Sequence, residues 1–364
     1  MITIKAATAN RVNYVDIAKG LGMLMVMWGH IMISGLCYEV VYAIHMPLFF
    51  FLAGLIYNNQ KYSSLLQLLT SKAKSLLFPY AVFSVITWAI WVAYSFVTGN
   101  VENYFAPLLQ TVIAQGSAGY LEHNVPLWFV TCLFVTEVAY YFIAKTKAVV
   151  NIVICVLCAA IGYFMISNTL IFDFTKLPWS IEVAMSALLF YSTGNLFKVH
   201  LGLNWLPDFT KSKKNISWLC ILVFTVIIFI SAPVNGHITM GSNSLGNNVA
   251  LFYILAFLGI ASTLLFSSSI EQTNLPVISK ITDFIRWIGK NSFYFMAIHV
   301  PAKGVIVLIL ARILKCPKTG ITTSFFNSSI AFFITIIVCS ATVFLINKCL
   351  QLYDCFKLSP KSQV

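Results

Sequence analysis

The chain has 364 residues, 59% of them hydrophobic and 9% charged, with a mean hydropathy of +0.87. A soluble domain of this length carries charge on roughly a quarter of its residues, so the composition excludes a soluble protein and is that of an integral membrane protein. The net charge of +12 sits in short gaps between apolar runs, which points to membrane topology and to no nucleic-acid partner.

A helix that crosses the hydrocarbon core needs about 20 predominantly apolar residues. Runs of that kind lie near residues 15–36, 40–57, 75–98, 126–144, 148–166, 181–198, 216–232, 249–268, 289–312 and 325–349. They predict an all-α polytopic membrane protein of about ten transmembrane helices spanning 15–349, with a segment 1–14 before them and a tail 350–364 after them. Pro47, Pro79 and Pro301 fall inside or beside these runs, where neighbouring helices can satisfy the carbonyls that a proline frees. The basic stretch from Lys5 to Arg11 precedes a run too long for a signal-peptide core, so the first helix reads as retained. With the N-terminus in the cytoplasm, the inner segments hold most of the lysines and arginines. The two longest outer loops, 99–125 and 233–248, hold none. This is the positive-inside pattern, and it puts both termini in the cytoplasm. Nine cysteines are scattered, mostly within apolar runs. Cys155 and Cys158 form a pair in "VICVLC", but no second pair completes the roughly four ligands of a zinc site, and no metal is expected.

The informative residues are the ionisable ones inside the spans, which are costly in lipid and face a protein interior or a wet cavity. In "DIAKGLGMLMVMWGH", Lys19 and His30 are eleven residues apart, which at about 100° per residue returns them to within roughly 20° of one face. Asp16 falls within about 40° of His30 on the same wheel. The three define a stripe running roughly 16 Å inward from the cytoplasmic end, at about 1.5 Å per residue. Asp16 and Lys19 could equally sit at the interface, where a lysine snorkels. His30 lies too deep for that. His45, on the next helix, enters from outside and is expected at the depth of His30, so the two imidazoles are either core residues or one site. Glu137 sits mid-span in "LWFVTCLFVTEVAYYF", and Glu182 near the outer end of its span. Ser292 and His299 in "GKNSFYFMAIH" share a helix face, with Asn291 beside them. Lys72 and Lys74 lie on the cytoplasmic side. Lys211, Lys213 and Lys214 read as topology markers, and the loop histidines His123, His200 and His237 carry no assigned role.

Taken together, "VDIAKGLGMLMVMWGH", "IHMPLFFFLAGLIY", "LLFPY", "PLWFVTCLF" and "GKNSFYFMAIH", in that order over most of the chain, resemble the membrane-bound acyltransferase-3 family of sugar and polysaccharide O-acetylases. The nearest likeness is to its fucose-4-O-acetylase-like branch. The family's basic residue, ten intervening residues and histidine are matched by Lys19 and His30. Two motifs depart from the pattern: Lys72 and Lys74 stand where an arginine pair is usual, and Ala53 stands where serine is common.

The resemblance implies a bacterial inner-membrane enzyme that moves an acetyl group from acetyl-CoA to a hydroxyl of a glycan or lipid-linked sugar, with no tightly bound cofactor. It implies catalytic roles among His30, Lys19, Asp16, His45 and Glu137, and donor contacts at Lys72 and Lys74. An imidazole, whose ordinary pKa is about 6.5, can take a hydroxyl proton at neutral pH. General base catalysis and a transient acetyl-histidine both remain open. The rival class is a transporter or flippase of lipid-linked glycans, whose polar face would line a path. The lack of a repeat between halves and the ordered motifs argue against it. The outer loops 99–125 and 233–248 contain Glu102, Glu122, His123 and His237 and are longer than a connection needs, so an acceptor arriving from outside is expected.

Overall fold

Every apolar run of the sequence forms a helix in the computed structural model, which describes residues 12–99, 103–116, 120–167 and 177–358. In chain order these are α1 (Asn13–Ile31), α2 (Leu36–Ile56), α3 (Leu65–Thr98), α4 (Val125–Ile143), α5 (Ala148–Ser167) and α6 (Ile181–Leu201). Then follow α7 (Lys214–Asn235), α8 (Val249–Glu271), α9 (Pro276–Lys290), α10 (Ser292–Ile313) and α11 (Phe325–Leu358). The only strands among the described residues are Ile238–Thr239 and Ser244–Leu245, paired antiparallel with Ile238 opposite Leu245. The protein is an all-α, multi-pass integral membrane protein.

Several boundaries differ from the sequence reading. The first turn falls earlier, because α1 stops at Ile31 and Gly35, at φ +91°, supplies the reversal into α2. The third span begins ten residues earlier than its apolar core, since Leu65–Lys72 continues through a π-helical stretch, Ala73–Leu77, into Phe78 and Pro79. There the Phe78 N–H bonds to the Ala73 carbonyl, a wider loop that accommodates the donor missing at Pro79. The last helix runs on to Leu358, so much of the expected tail is helical. The ninth run is split at Asn291. Before it lies α9, whose apolar residues fall on one side, as in a helix lying along a membrane surface.

Eight of the helices are long and apolar enough to cross a membrane, among the described residues. The two predicted spans that fall short are α1 and α6, which carry Asp16 and Lys19, and Glu182 and Lys198. Their position explains it. Helix α1 packs against α2, α8, α9, α10 and α11, and α6 against α2, α4 and α5, so neither needs an apolar surface for lipid. Lipid tails are as apolar as leucine, so close backbone approach and polar contacts hold such helices together. A Cβ at Gly54 would strike the Tyr191 backbone, and one at Gly194 the Phe51 backbone, which is how α2 and α6 meet. Asn195 Nδ2 then donates to the carbonyls of Gly54 (3.3 Å) and Tyr57 (3.2 Å), while Tyr140 Oη donates to Asn195 Oδ1 at 3.0 Å. Bonds of this kind contribute about 0.6 kcal/mol each. Their greater effect is to set the register of α2, α4 and α6, the three helices that wall one side of the interior.

Candidate active site

Helices α1, α2, α3, α4 and α10 enclose a cavity of about 350 Å³. Inner and outer below follow the orientation read from the loop charges. Helix α1 presents Lys19, Met23, Val26 and His30 to the cavity, spacings of four, three and four residues that trace one helical face. The wall from α2 runs inward from Tyr42, His45 and Met46 to Phe49, Ala53 and Ile56. Lys72 and Leu76, on either side of the start of the π-helical stretch, close the inner end with Glu137 and Ser292.

The outer end is roofed by the loops. Gly116 from one, and Thr239, Met240 and Gly241 from the hairpin of the other, all border the cavity. The two loops meet over Trp128: a Cβ at Gly116 would strike the Gly241 carbonyl, and one at Gly241 the Trp128 ring. His237 stacks on Tyr38 with ring centres 5.5 Å apart, and its Nε2 lies 2.7 Å from Thr239 Oγ1.

The imidazoles at the outer end are held in defined states. His45 Nδ1 lies 2.7 Å from the Val41 carbonyl. A carbonyl only accepts, so Nδ1 carries the proton and Nε2 is left with its lone pair. His299 is fixed the same way: Nδ1 donates to the carbonyls of Phe295 (3.0 Å) and Met296 (2.9 Å), and its Nε2 has no hydrogen-bond partner among the described residues. The rings of His30 and His299 are 5.2 Å apart, and Lys303 Nζ donates to the His30 carbonyl at 2.9 Å. At the inner end the charges are paired. Lys72 Nζ lies 2.7 Å from Glu137 Oε2 and donates to Oε1 at 2.8 Å, while Tyr191 Oη donates to the same Oε1 at 3.4 Å.

One comparison decides what kind of protein carries this cavity. The model of the acyltransferase-3 family, described as an acyltransferase domain, matches residues 12–346. The chain belongs to the acyltransferase-3 family. Comparison with curated proteins and with solved structures yields no match. The protein is thus a membrane acyltransferase, and the matched span takes in every helix that lines the cavity.

Within this acyltransferase the residues singled out from the sequence separate into two groups. Lys19, His30, His45, Lys72, Glu137 and Ser292 all border the one cavity. Asp16 does not: it is buried where α9 crosses α1, and a Cβ at Gly289 would strike its carbonyl. The helical wheel places it within reach of the stripe, but the cavity ends one turn short of it. Lys74, the second residue of the π-helical stretch, is exposed, because α3 turns that side outward. Glu182 lies at the first turn of α6 and accepts from the Leu177 N–H at 3.0 Å, a helix-start role away from the cavity. Asn291 terminates α9 and accepts from Asn347 Nδ2 at 2.9 Å, tying α11 to this break. His299 stands behind His30, not on the cavity wall. Among the described residues no group of three or more histidines, cysteines or acids is arranged to hold a metal ion.

Sequence reasoning missed two groups. Lys303 follows His299 by one turn in "AIHVPAKG", and reading lysines as topology markers hides it. His123 was set aside as a loop residue, but it is 2% exposed and neither ring nitrogen has a hydrogen-bond partner among the described residues. Burial pushes its imidazole down to about 4, so it is neutral near pH 7. Asn124 beside it donates to the Ala297 carbonyl at 2.6 Å, seating this loop on α10 next to His299.

Proposed function

We propose that the protein transfers an acetyl group from cytoplasmic acetyl-CoA to a hydroxyl of a sugar or cell-surface glycan, in the manner of the fucose-4-O-acetylase-like branch, within a bacterial inner membrane. The observation that carries this reading is the single cavity joining Lys19 at its inner end to His30, His45 and the outer loops at its other end. Coenzyme A is bulky and polyanionic, so its nucleotide stays in water at the inner mouth, where the Lys19 ammonium favours phosphate. The pantetheine arm and acyl group are small enough to follow the mainly apolar wall of Met23, Val26, Met46 and Phe49 toward His30. Lys72 borders the same mouth, with its charge engaged by Glu137.

At the outer end the acceptor hydroxyl gives its proton to the imidazole of His30 as its oxygen attacks the thioester carbonyl. The tetrahedral oxyanion collapses, the C–S bond breaks, and the imidazolium returns the proton to the departing thiolate, leaving an O-acetyl ester and free CoA. His45 Nε2, left with its lone pair, can accept a hydrogen bond from the same sugar and orient it. The roof formed by Gly116 and Thr239 to Gly241 is where an acceptor from outside would approach.

Sealed vesicles of known orientation test the reading. With radiolabelled acetyl-CoA enclosed on the cytoplasmic side and acceptor supplied on the other, label is expected on the outside acceptor. Label that forms only when both substrates share the cytoplasmic side would exclude transfer across the membrane.

A further inference from the structure

Lys303 is a cation that membrane topology does not explain. It stands eleven residues into α10, about 16 Å from the inner end of that helix and roughly 15 Å from its outer end. Its ammonium turns to α1 and donates to the His30 carbonyl. No carboxylate among the described residues pairs with it. Removing an ammonium from water costs several kcal/mol, so its placement at this one carbonyl is informative. His30 is the next-to-last residue of α1, so its carbonyl is among the last four that the helix leaves without an internal partner. A cation there also meets the negative end of the helix dipole. One turn before Lys303, on the same face of α10, His299 sets its ring 5.2 Å from that of His30. It is 1% exposed, and its proton is committed to two backbone carbonyls.

We propose that Lys303 and His299 are positioning residues for the acyl transfer: Lys303 clamps the last turn of α1 to α10, so that the His30 ring donates its one N–H to His299 Nε2 and turns its other, unprotonated nitrogen to the substrate. This rests on His30 being the base, as proposed above. In the structure the two rings are 5.2 Å apart and His299 Nε2 is still without a hydrogen-bond partner among the described residues; catalytic hydrogen bonds often form or tighten only when substrate binds. In the reaction His30 alone takes and returns the proton. His299 only accepts a hydrogen bond, the role of the third group that orients a base.

The test uses full-length protein purified in detergent, with acetyl-CoA and free fucose as substrates and CoA release as the signal. Lys303→Met and His299→Phe are expected to lower kcat about a hundredfold, with both KM values and the thermal midpoint near those of the wild type. Lys303→Arg, which can still donate to the carbonyl, is expected to recover most of that loss. A second measurement needs no substrate: carbethoxylation of His30 by diethylpyrocarbonate, followed by mass spectrometry, should slow in Lys303→Met and recover in Lys303→Arg. If the wild type releases no CoA, the donor and acceptor assigned above are wrong, and the labelling rate alone judges Lys303. Wild-type labelling of His30 in Lys303→Met overturns the proposal. Should that variant fail to accumulate, wild-type kcat and labelling in His299→Phe overturn it equally.

Discussion

The two ends of the cavity are built on different physical principles. At the inner end the charges compensate each other: Lys72 and Glu137 are within 2.8 Å, Tyr191 donates to the carboxylate, and Glu137 is buried. At the outer end no carboxylate among the described residues borders the cavity, and its wall is imidazole, aromatic ring and loop backbone. Charge at the inner end belongs to the architecture and, in the function proposed above, also meets an anionic donor. At the outer end His45 and His299 have their protons fixed by main-chain carbonyls, an orientation that the proposed chemistry uses. Ionisable side chains in one cavity therefore do not share one role.

The largest test of that contrast is His30→Ala. It is expected to reduce acetyl transfer by about 10²–10⁴-fold while leaving the thermal midpoint unchanged, as measured by CoA release and by a melting curve on the same preparation. Near-normal turnover would remove chemistry from the outer end.

Glu137→Ala should do the reverse and act first on stability. It leaves the Lys72 ammonium without its buried partner, at a cost of about 3–5 kcal/mol, and the thermal midpoint should fall accordingly. Replacing the pair together, as Lys72→Met with Glu137→Leu, should restore much of that loss. If the double replacement is as unstable as the single one, the pair is not the inner end's structural element.

A smaller effect is expected when two cytoplasmic lysines are compared, Lys19 on the cavity wall and Lys74 outside it. Lys19→Gln should raise the KM for acetyl-CoA about tenfold at low salt, and less at high salt, where exposed charge is screened. Lys74→Gln, on the exposed side of α3, should change it by no more than about twofold. Equal effects would place the donor's phosphates against α3.

The smallest effect concerns pH and the loop over the outer end. His123 titrates at about 4 in the folded protein, below the ordinary value of about 6.5. The unfolded chain therefore binds the additional proton between those values, and the stability it contributes, complete above about 6.5, is lost as pH falls toward 4. The melting temperature should drop by a few degrees across this window, and His123→Phe should flatten the drop. An unchanged slope in His123→Phe would assign the acid sensitivity elsewhere.

Much of this architecture was legible in the sequence, and the limits are physical. Lys19 and His30 were expected on one stripe because helix periodicity is local, and both border the cavity. His45 was expected beside His30 because a short connection makes α1 and α2 antiparallel neighbours, and both face the same space. Asp16 satisfied the same periodicity yet fell outside, since where a cavity ends depends on the crossing of α9. Lys303 carried no local signal that separates a clamp from a topology marker. His123 looked like a solvated loop residue, and only the packing of that loop on α10 buries it.

By itself, then, the sequence determined the membrane class, the ten apolar runs and the helix face shared by Lys19 and His30, all of which depend on composition and on spacing within one helix. Tertiary structure alone decided what the ionisable groups meet: Lys72 the Glu137 carboxylate across 65 residues, and Lys303 the His30 main-chain carbonyl across 273. Helical spacing states which side of a helix a residue occupies. Which neighbour that side faces is settled by backbone contacts such as those at Gly54 and Gly194, between segments far apart in the chain.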